Sequence, residues 1–224
     1  MQYTMSSVFC NVPSLYLAMK VVAPKNLNAF AWSLTATASM LVVYVWGASF
    51  GWELRAVNAY QFFPVLGLLA FSIMWAHYMV GALKRLTGRF DGMENYTRYT
   101  GYVVLVALVL HPGILVYQRF HDGFGLPPGS YESFVAPSMA WLTLLGTASF
   151  FIFLAYELRR WYAGKKWWKY VVAAGDLAML ASFYHGLRLG SQLQGGWFHA
   201  LWLFYGATLS MSIVYKCRCR YSVA

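Results

Sequence analysis

Two histidines that lie in long apolar stretches are the residues of this chain best suited to chemistry. His111 follows an apolar stretch that begins after Arg98 and is itself followed by Pro112, and His185 lies in a second stretch after Lys169. An ionisable residue inside such a stretch is costly in a bilayer and indicates function by default. A neutral imidazole can bind a metal through one ring nitrogen while the other donates a hydrogen bond. The alternative is a histidine hydrogen-bonded inside a helical bundle.

The two histidines are predicted to lie at similar heights in a membrane. A helix rises about 1.5 Å per residue, which puts His111 about 20 Å beyond Arg98 and His185 about 24 Å beyond Lys169. Imidazoles at matched height on different helices are what bis-histidine haem ligation requires. Each Nε2 can then face the iron while each Nδ1–H donates to a carbonyl. The spacing therefore favours one haem b held by His111 and His185.

Other residues on the same two stretches would complete such a site. Gly101 leaves a flat surface on the helix of His111, where a planar ring could approach closely. Arg188 is a predicted partner for a haem propionate, because charge-assisted pairing favours arginine. Gln192 and Gln194 follow it and are further candidates for the same role.

Three ionisable residues elsewhere in apolar runs are secondary candidates. His199, near the start of the last run, is a reserve ligand that could meet a haem edge or a propionate. His77 is a second reserve ligand, although no other histidine is predicted at its depth. Asp176 is an acid within a run, and such a carboxylate must be paired, protonated or facing water. A proton-uptake role and a hydrogen bond to a neighbouring helix both remain open for Asp176.

The composition is that of a membrane protein rather than of a soluble domain. Of the 224 residues, 60% are hydrophobic and 11% are charged, whereas soluble domains average about 25% charged residues. Six apolar runs are each close to the roughly 20 helical residues that cross a hydrocarbon core. They span residues 29–52, 60–83, 99–118, 134–158, 167–189 and 197–215. We therefore expect an all-α integral membrane protein, a bundle of six transmembrane helices.

The basic residues predict the orientation of this bundle. The formal net charge is +10, but the basic residues lie in short loops between apolar runs, which is typical of membrane topology and not of a nucleic-acid-binding stripe. Fourteen of the 17 Lys and Arg residues fall on one side, and Arg55, Arg119 and Arg188 fall on the other. By the positive-inside rule, both termini are cytoplasmic in a plasma or other cytoplasmic membrane.

The two ends of the chain carry the remaining predictions. Residues 1–28 are predicted to form a partly amphipathic segment on the membrane surface, and residues 216–224 a basic cytoplasmic tail that follows the bundle of residues 29–215. Cys10, Cys217 and Cys219 provide no disulfide framework. A metal or redox role for Cys217 and Cys219 is the alternative to reduced thiols in that tail.

Short motifs around both histidines resemble the ferric-reductase-like transmembrane domain, which ferric reductases, NADPH oxidases and the haem-binding subunit of the methionine sulfoxide reductase system share. Residues 97–101 and His111-Pro112 fit the family's third helix, which opens with His-Arg-x-x-Gly and carries another histidine further on. Trp168 and His185-Gly186-Leu187 fit its fifth helix. The resemblance covers residues 84–215 and implies haem ligation by His111 and His185, with Gly186 beside the ligand.

The same resemblance implies one haem rather than two. Thr97 and Val172 stand where two-haem members of the family carry the ligands of an inner haem. Neither side chain can replace an imidazole, while both outer positions keep their histidines. The implied protein is a single-haem member whose haem lies in the outer leaflet.

The expected function is electron transfer by a membrane b-type cytochrome, and ferric-reductase-like catalysis is left open. The sequence contains no dinucleotide-binding glycine motif, so electrons would come from a separate flavoprotein or from membrane quinol. One alternative is a non-enzymatic haem sensor or assembly subunit. Another is a small proton or solute transporter that uses Asp176 and His77 as a relay.

Overall fold

The computed structural model describes residues 26–88 and 92–221, and long helices make up most of them. Six long helices correspond to the six predicted apolar runs. They are α1 (Leu27–Ala48), α2 (Ala59–Thr87), α3 (Glu94–His121), α4 (Ala140–Glu157), α5 (Trp168–Leu189) and α6 (Gly196–Tyr221). Single helical turns in the connections are Leu54–Ala56, Gly129–Glu132, Pro137–Met139, Arg159–Tyr162 and Ser191–Leu193. The all-α prediction is confirmed for the described part of the chain.

Five of the long helices are long and apolar enough to cross a membrane. They are α1, α2, α3, α4 with the single turn before it, and α6. Helix α5 has 22 residues, as many as α1, but it carries Lys169, Asp176, His185 and Arg188, and these side chains make it less apolar. The structure thus supports a multi-pass α-helical membrane protein, with five spans by length and composition.

Capping residues mark where the first two helices begin and where α2 ends. The Asn26 side chain accepts a hydrogen bond from the backbone N–H of Ala29 at the start of α1. At the start of α2, Asn58 and Gln61 exchange side-chain and backbone hydrogen bonds in a capping box, which satisfies two otherwise unpaired donors. Gly88 ends α2 at φ 66°, a left-handed conformation that glycine adopts without a steric cost.

Consecutive long helices run in opposite directions, so the bundle has two ends. The upper end is defined as the end of the bundle at which α1, α3 and α5 end and α2, α4 and α6 begin. The lower end is the opposite one. The upper end corresponds to the side that the basic residues predict to be outside.

Aromatic side chains form much of the buried core between α1, α2, α5 and α6. The rings of Phe71 and Trp202 have centroids 4.5 Å apart, and those of Trp75 and Tyr205 stack at 4.0 Å. All four residues are buried, together with Met179 of α5. Such aromatic pairs contribute about 0.5–1.5 kcal/mol each beyond the area they bury.

Helix α3 presents a face of large apolar side chains to the surroundings of the bundle. In a soluble protein, a continuous apolar surface of this kind would mark an interaction site or an aggregation liability. A bilayer would cover it, which agrees with the length and hydropathy of α3. The exposed side chains are Tyr99, Tyr102, Val103, Val106, Val109, Leu110 and Tyr117.

The last helix runs further than the sequence predicted. Helix α6 continues to Tyr221, so Lys216, which was expected to open a basic tail, is helical. Cys217 is exposed, and the side chain of Cys219 is not among those described. Residues 1–25 lie outside the described residues, and with them Cys10 and nearly all of the predicted surface segment.

Candidate functional site

A cavity of about 680 Å³ lies in the upper half of the bundle, between α2, α3, α4 and α5. This volume is within the range of about 300–1,000 Å³ that is usual for cofactor and small-molecule sites. His111 and His185 both line it, among mainly apolar and aromatic side chains. The structure therefore brings the two sequence-predicted ligands to one space.

His111 packs against α2 through a hydrogen bond, and a glycine on α2 leaves room for its ring. Its Nδ1 lies 2.8 Å from the backbone oxygen of Phe63. A Cβ at Gly67 would come within 2.7 Å of the Cε1 of His111 and 2.8 Å of its Nδ1, closer than real Cβ contacts. Helices α2 and α3 can therefore approach at this height because residue 67 is glycine.

His185 is held against α4 in the same way. Its Nδ1 lies 2.8 Å from the backbone oxygen of Leu142. A Cβ at Gly146 would come within 2.7 Å of both Cε1 and Nδ1 of His185. In each helix pair the accepting carbonyl stands four residues, about one turn, before the glycine. The α2/α3 pair and the α4/α5 pair thus repeat one local arrangement.

The accepting carbonyls determine the tautomer of both rings. A carbonyl oxygen can only accept a hydrogen bond, so Nδ1 of His111 and of His185 carries the proton. In the neutral imidazole, Nε2 then has a free lone pair. Within the described part of the chain, neither Nε2 has a hydrogen-bond partner, and both rings border the cavity. Metal-binding histidines usually have this arrangement, in which the second nitrogen donates to a carbonyl.

Several further residues line the cavity. Gly186 and Gln192, two of the predicted cofactor contacts, are among them. Thr143 also lines it, and its buried hydroxyl lacks a hydrogen-bond partner among the described residues. An unpaired buried hydroxyl costs about 1–3 kcal/mol, so Thr143 has unused hydrogen-bonding capacity beside the cavity. The Tyr131 hydroxyl, by contrast, bonds Thr147 at 3.1 Å.

Two residues that were predicted to bind the cofactor do not border the cavity. Arg188 is exposed and is absent from the described residues that line the cavity. Gly101 lies near the lower end of α3, and a Cβ there would meet no described atom within 4 Å. Gln194 donates to the backbone oxygen of Gly190 at 3.0 Å. Gly101 lies ten residues before His111 and so about 15 Å lower, whereas for Arg188 helical spacing gives the height but not the direction of the side chain.

The reserve ligands have other partners. His199 Nδ1 lies 2.6 Å from the backbone oxygen of Leu193. His77 Nε2 lies 2.6 Å from the Thr100 hydroxyl, which itself donates to the backbone oxygen of Tyr96 at 2.6 Å. His77 therefore donates through Nε2, the opposite tautomer to that of His111. Neither reserve ligand is among the described residues that line the cavity.

Asp176 is buried in the lower half and is fully paired. Lys216 Nζ lies 2.7 Å from each of its carboxylate oxygens, and the Tyr78 hydroxyl donates to it at 2.8 Å. These bonds join α5 to α6 and to α2. Of the two roles left open by the sequence, the hydrogen bond to neighbouring helices is the one observed.

Thr97 and Val172 stand where the resemblance would place the histidines of an inner haem, and both lie away from the core. Thr97 is exposed, and its hydroxyl donates to the backbone oxygens of Met93 and Glu94 within α3. Val172 is half-buried on α5. In the described lower half, the polar side chains between helices are those around His77 and Asp176.

The sequence-based prediction missed Gly67, Gly146 and Arg119. The two glycines stand in apolar runs, where the pattern offers no sign of which face they occupy. Arg119 was counted only as a residue of the upper side. It is 7% exposed, and burial of an arginine at the end of a helix has no signature in the linear sequence.

The described residues contain no group of three or more His, Cys, Asp or Glu that could hold a metal ion. No family model matches the chain, and neither a curated protein nor a solved structure matches it. The functional conclusion below therefore depends on the residues and the geometry of the cavity.

Proposed function

We propose that this protein is a membrane b-type cytochrome that binds one haem between His111 and His185. The observation that carries the proposal is the pair of matched histidines at one cavity. Each donates through Nδ1 to a backbone carbonyl and keeps Nε2 free on the cavity side. Nothing else in the described bundle combines free imidazole nitrogens with space for a cofactor.

The residues present fit a haem. A porphyrin supplies four nitrogens to its iron and needs two axial ligands from the protein, which is the number of imidazoles at the cavity. Structural zinc, by comparison, usually takes four protein ligands. The aromatic and aliphatic lining suits the apolar faces of a porphyrin, and Thr143 adds a buried hydroxyl without a partner.

A bound haem would supply reversible one-electron chemistry of its iron. The side chains of this chain would hold, orient and insulate it. The carbonyls of Phe63 and Leu142 fix the ring orientation of the two histidines and make them better donors, because each Nδ1–H is polarised by its hydrogen bond. Gly67 and Gly146 let the imidazoles lie close against α2 and α4. The apolar lining limits access of water, and burial of this kind helps to set a haem potential.

The proposal extends to topology and partners. We propose that α5 is a sixth span, whose polar side chains are accommodated by pairing and by the cavity, and that both termini are cytoplasmic. The haem would then lie in the outer leaflet of a plasma or cytoplasmic membrane. Its electrons would come from a separate flavoprotein or from membrane quinol, in the manner of the ferric-reductase-like family. Ferric reduction is the catalytic activity that this arrangement would allow.

The two alternatives differ in their structural support. A haem sensor or assembly subunit would use the same histidines and would differ only in lacking a redox partner. A transporter would need a relay through Asp176 and His77. Asp176 pairs with Lys216 and Tyr78, while His77 bonds Thr100 on α3. No observation in the described residues joins these two groups into one path.

The test is a reduced-minus-oxidised visible spectrum with a pyridine haemochrome count on the purified full chain. We expect one low-spin b-type haem per chain in the wild type. His111→Ala and His185→Ala should each abolish it, whereas the matched controls His77→Ala and His199→Ala should keep it. A wild-type chain without haem, or haem loss in His199→Ala with retention in His185→Ala, would refute the proposal.

A further inference from the structure

We propose that Arg119 binds a carboxylate of the molecule that occupies the cavity, at the upper end of that cavity. The inference builds on the proposed function, because the carboxylates of a haem are its two propionates. It assigns the role predicted for Arg188 to a different arginine.

Arg119 is a buried cation without an acidic partner in the described part of the chain. Only 7% of its surface is exposed. Its Nη2 donates to the Ser133 hydroxyl, and its Nε has no hydrogen-bond partner among the described residues. A buried charge that is neither paired nor fully hydrogen-bonded is strongly unfavourable. A negatively charged ligand would supply the missing partner and so explain why this guanidinium is buried.

The guanidinium is held rigidly by aromatic rings. It lies 3.5 Å from the ring centroid of Phe124 and 5.8 Å from that of Phe134. Such cation–π contacts are attractive. They cover the faces of the guanidinium, while Nε is buried without a hydrogen-bond partner among the described residues. Asp122 is the nearest acid in sequence, and the hydroxyl of Tyr60 and the amide of Gln118 donate to it instead.

The position of Arg119 connects it to the cavity. It lies on the same helix as His111, eight residues beyond it and so about 12 Å higher. One turn below it are Leu115 and Val116, which both line the cavity, and so does Phe134 beside the guanidinium. Arg119 itself is not among the described residues that line the cavity, but it lies directly beyond Leu115, Val116 and Phe134 at the upper end of the lining.

The chemistry of the guanidinium selects the ligand class. Arginine presents five donors in a planar fork, which matches the two oxygens of a carboxylate. The Ser133 hydroxyl takes one donor, the Tyr60 hydroxyl lies within reach of the guanidinium, and Nε has no hydrogen-bond partner among the described residues. The carboxylate could belong to a haem propionate or to a soluble organic acid that enters from the upper side. The experiment below distinguishes these two sources.

Haem b and its dimethyl ester share the macrocycle and the iron, but the ester lacks the two carboxylate charges, so the pair tests the role of those charges. Apo-protein of the full chain would be titrated with each compound, followed by the Soret absorbance. We expect the wild type to bind haem b at least about tenfold more tightly than the ester, since a charge-assisted hydrogen bond contributes about 1.5–3 kcal/mol. Arg119→Gln should lose this preference, and Arg188→Gln, an exposed arginine at the same end, should keep it.

The outcomes separate the two proposals. If the wild type binds neither compound, the cytochrome proposal fails. If wild type and Arg119→Gln bind both and discriminate equally, the cytochrome proposal stands and the role of Arg119 is wrong. If the wild type does not discriminate, but citrate shifts its haem midpoint potential and fails to shift that of Arg119→Gln, the carboxylate comes from solution. The wild-type comparison needs no variant and so remains informative even if Arg119→Gln misfolds.

Discussion

In the upper half of the bundle, His111 and His185 each use one ring nitrogen on a backbone carbonyl and leave the other free beside a cavity. In the lower half, His77 bonds the Thr100 hydroxyl, and Asp176 is enclosed by Lys216 and Tyr78. Both halves contain polar groups at depths where they are costly. Among the described residues, His111 and His185 of the upper half lie beside a cavity, whereas His77 and Asp176 do not line it.

This difference separates two uses of polarity inside a membrane protein. Paired polar groups between helices stabilise the bundle and leave nothing for a ligand. Groups that are fixed on one side and free on the other are prepared for binding, because their orientation is already determined by backbone contacts. We therefore interpret the polar groups of the lower half as contacts that stabilise the bundle and those of the upper half as a binding site. Variants in one half, with measurements on the other, test this difference.

The largest effect on stability is expected from breaking the ion pair in the lower half. Lys216→Met or Asp176→Leu alone leaves one buried charge uncompensated, since their side chains are only 15% and 9% exposed. We expect each to lower the free energy of unfolding by about 3–5 kcal/mol. The double variant should recover most of that loss. Unfolding in detergent measures the stability, and the haem content per folded chain should stay unchanged throughout.

A smaller effect on stability, but a direct effect on the site, is expected from filling the glycine positions in the upper half. Gly67→Ala and Gly146→Ala force the imidazoles of His111 and His185 to move, because the new Cβ would lie 2.7 Å from each ring. Overpacking of this kind costs about 1–3 kcal/mol, and haem affinity should fall. Gly101→Ala is the matched control, since its Cβ meets open space. Equal haem affinity in all three variants would contradict the assigned role of the two glycines.

A still smaller effect is expected from removing the hydrogen bond between α2 and α3 in the lower half. Thr100→Val leaves His77 Nε2 without its partner. Polar contacts between membrane helices average about 0.6 kcal/mol and reach about 1.7 kcal/mol, so the stability should fall within that range. The Soret band should not move. A shift of the haem spectrum in Thr100→Val would mean that the two halves are coupled.

The smallest effect is expected at the upper end, where Tyr60 lines the cavity and bonds Asp122. The hydrogen bond from the Tyr60 hydroxyl holds the pKa of Asp122 below its ordinary value. Because the folded pKa is lowered, this contact stabilises the protein above the unfolded pKa and is lost as the pH falls through the folded one. Tyr60→Phe should therefore raise the pKa of Asp122, which a carbon-13 NMR titration of its carboxyl measures. An unchanged pKa would refute the assigned cause.

Much of the fold could be predicted from the order of residue types. The six apolar runs correspond to the six long helices, and asparagine and glycine mark the ends of α1 and α2 as capping rules predict. The count of spans could not be settled in the same way. Helix α5 has the length of a span, but its polar side chains reduce its hydropathy. Whether it lies among other helices depends on contacts rather than on its own composition.

The candidate site could be predicted in part. The two histidines were found because an ionisable residue in an apolar run is unusual, and their heights follow from helix geometry. Arg188 is exposed and is not among the described residues that line the cavity, so its predicted role stays a prediction. Arg119 was overlooked because its burial depends on Phe124 and Phe134, which lie on a loop and beyond it.

The helices, their likeness to membrane spans and the heights of the two histidines follow from the order of residues along the chain. These properties depend on backbone hydrogen bonds and hydropathy within one segment. The packing of the helices, by contrast, establishes which ring nitrogen is free, which glycines leave room for the imidazoles and which arginine is buried. Phe63 and His111 are 48 residues apart, and Leu142 and His185 are 43 apart. Such pairs form only when helices pack, because packing selects the facing sides of helices by the shapes of side chains that are distant in the chain.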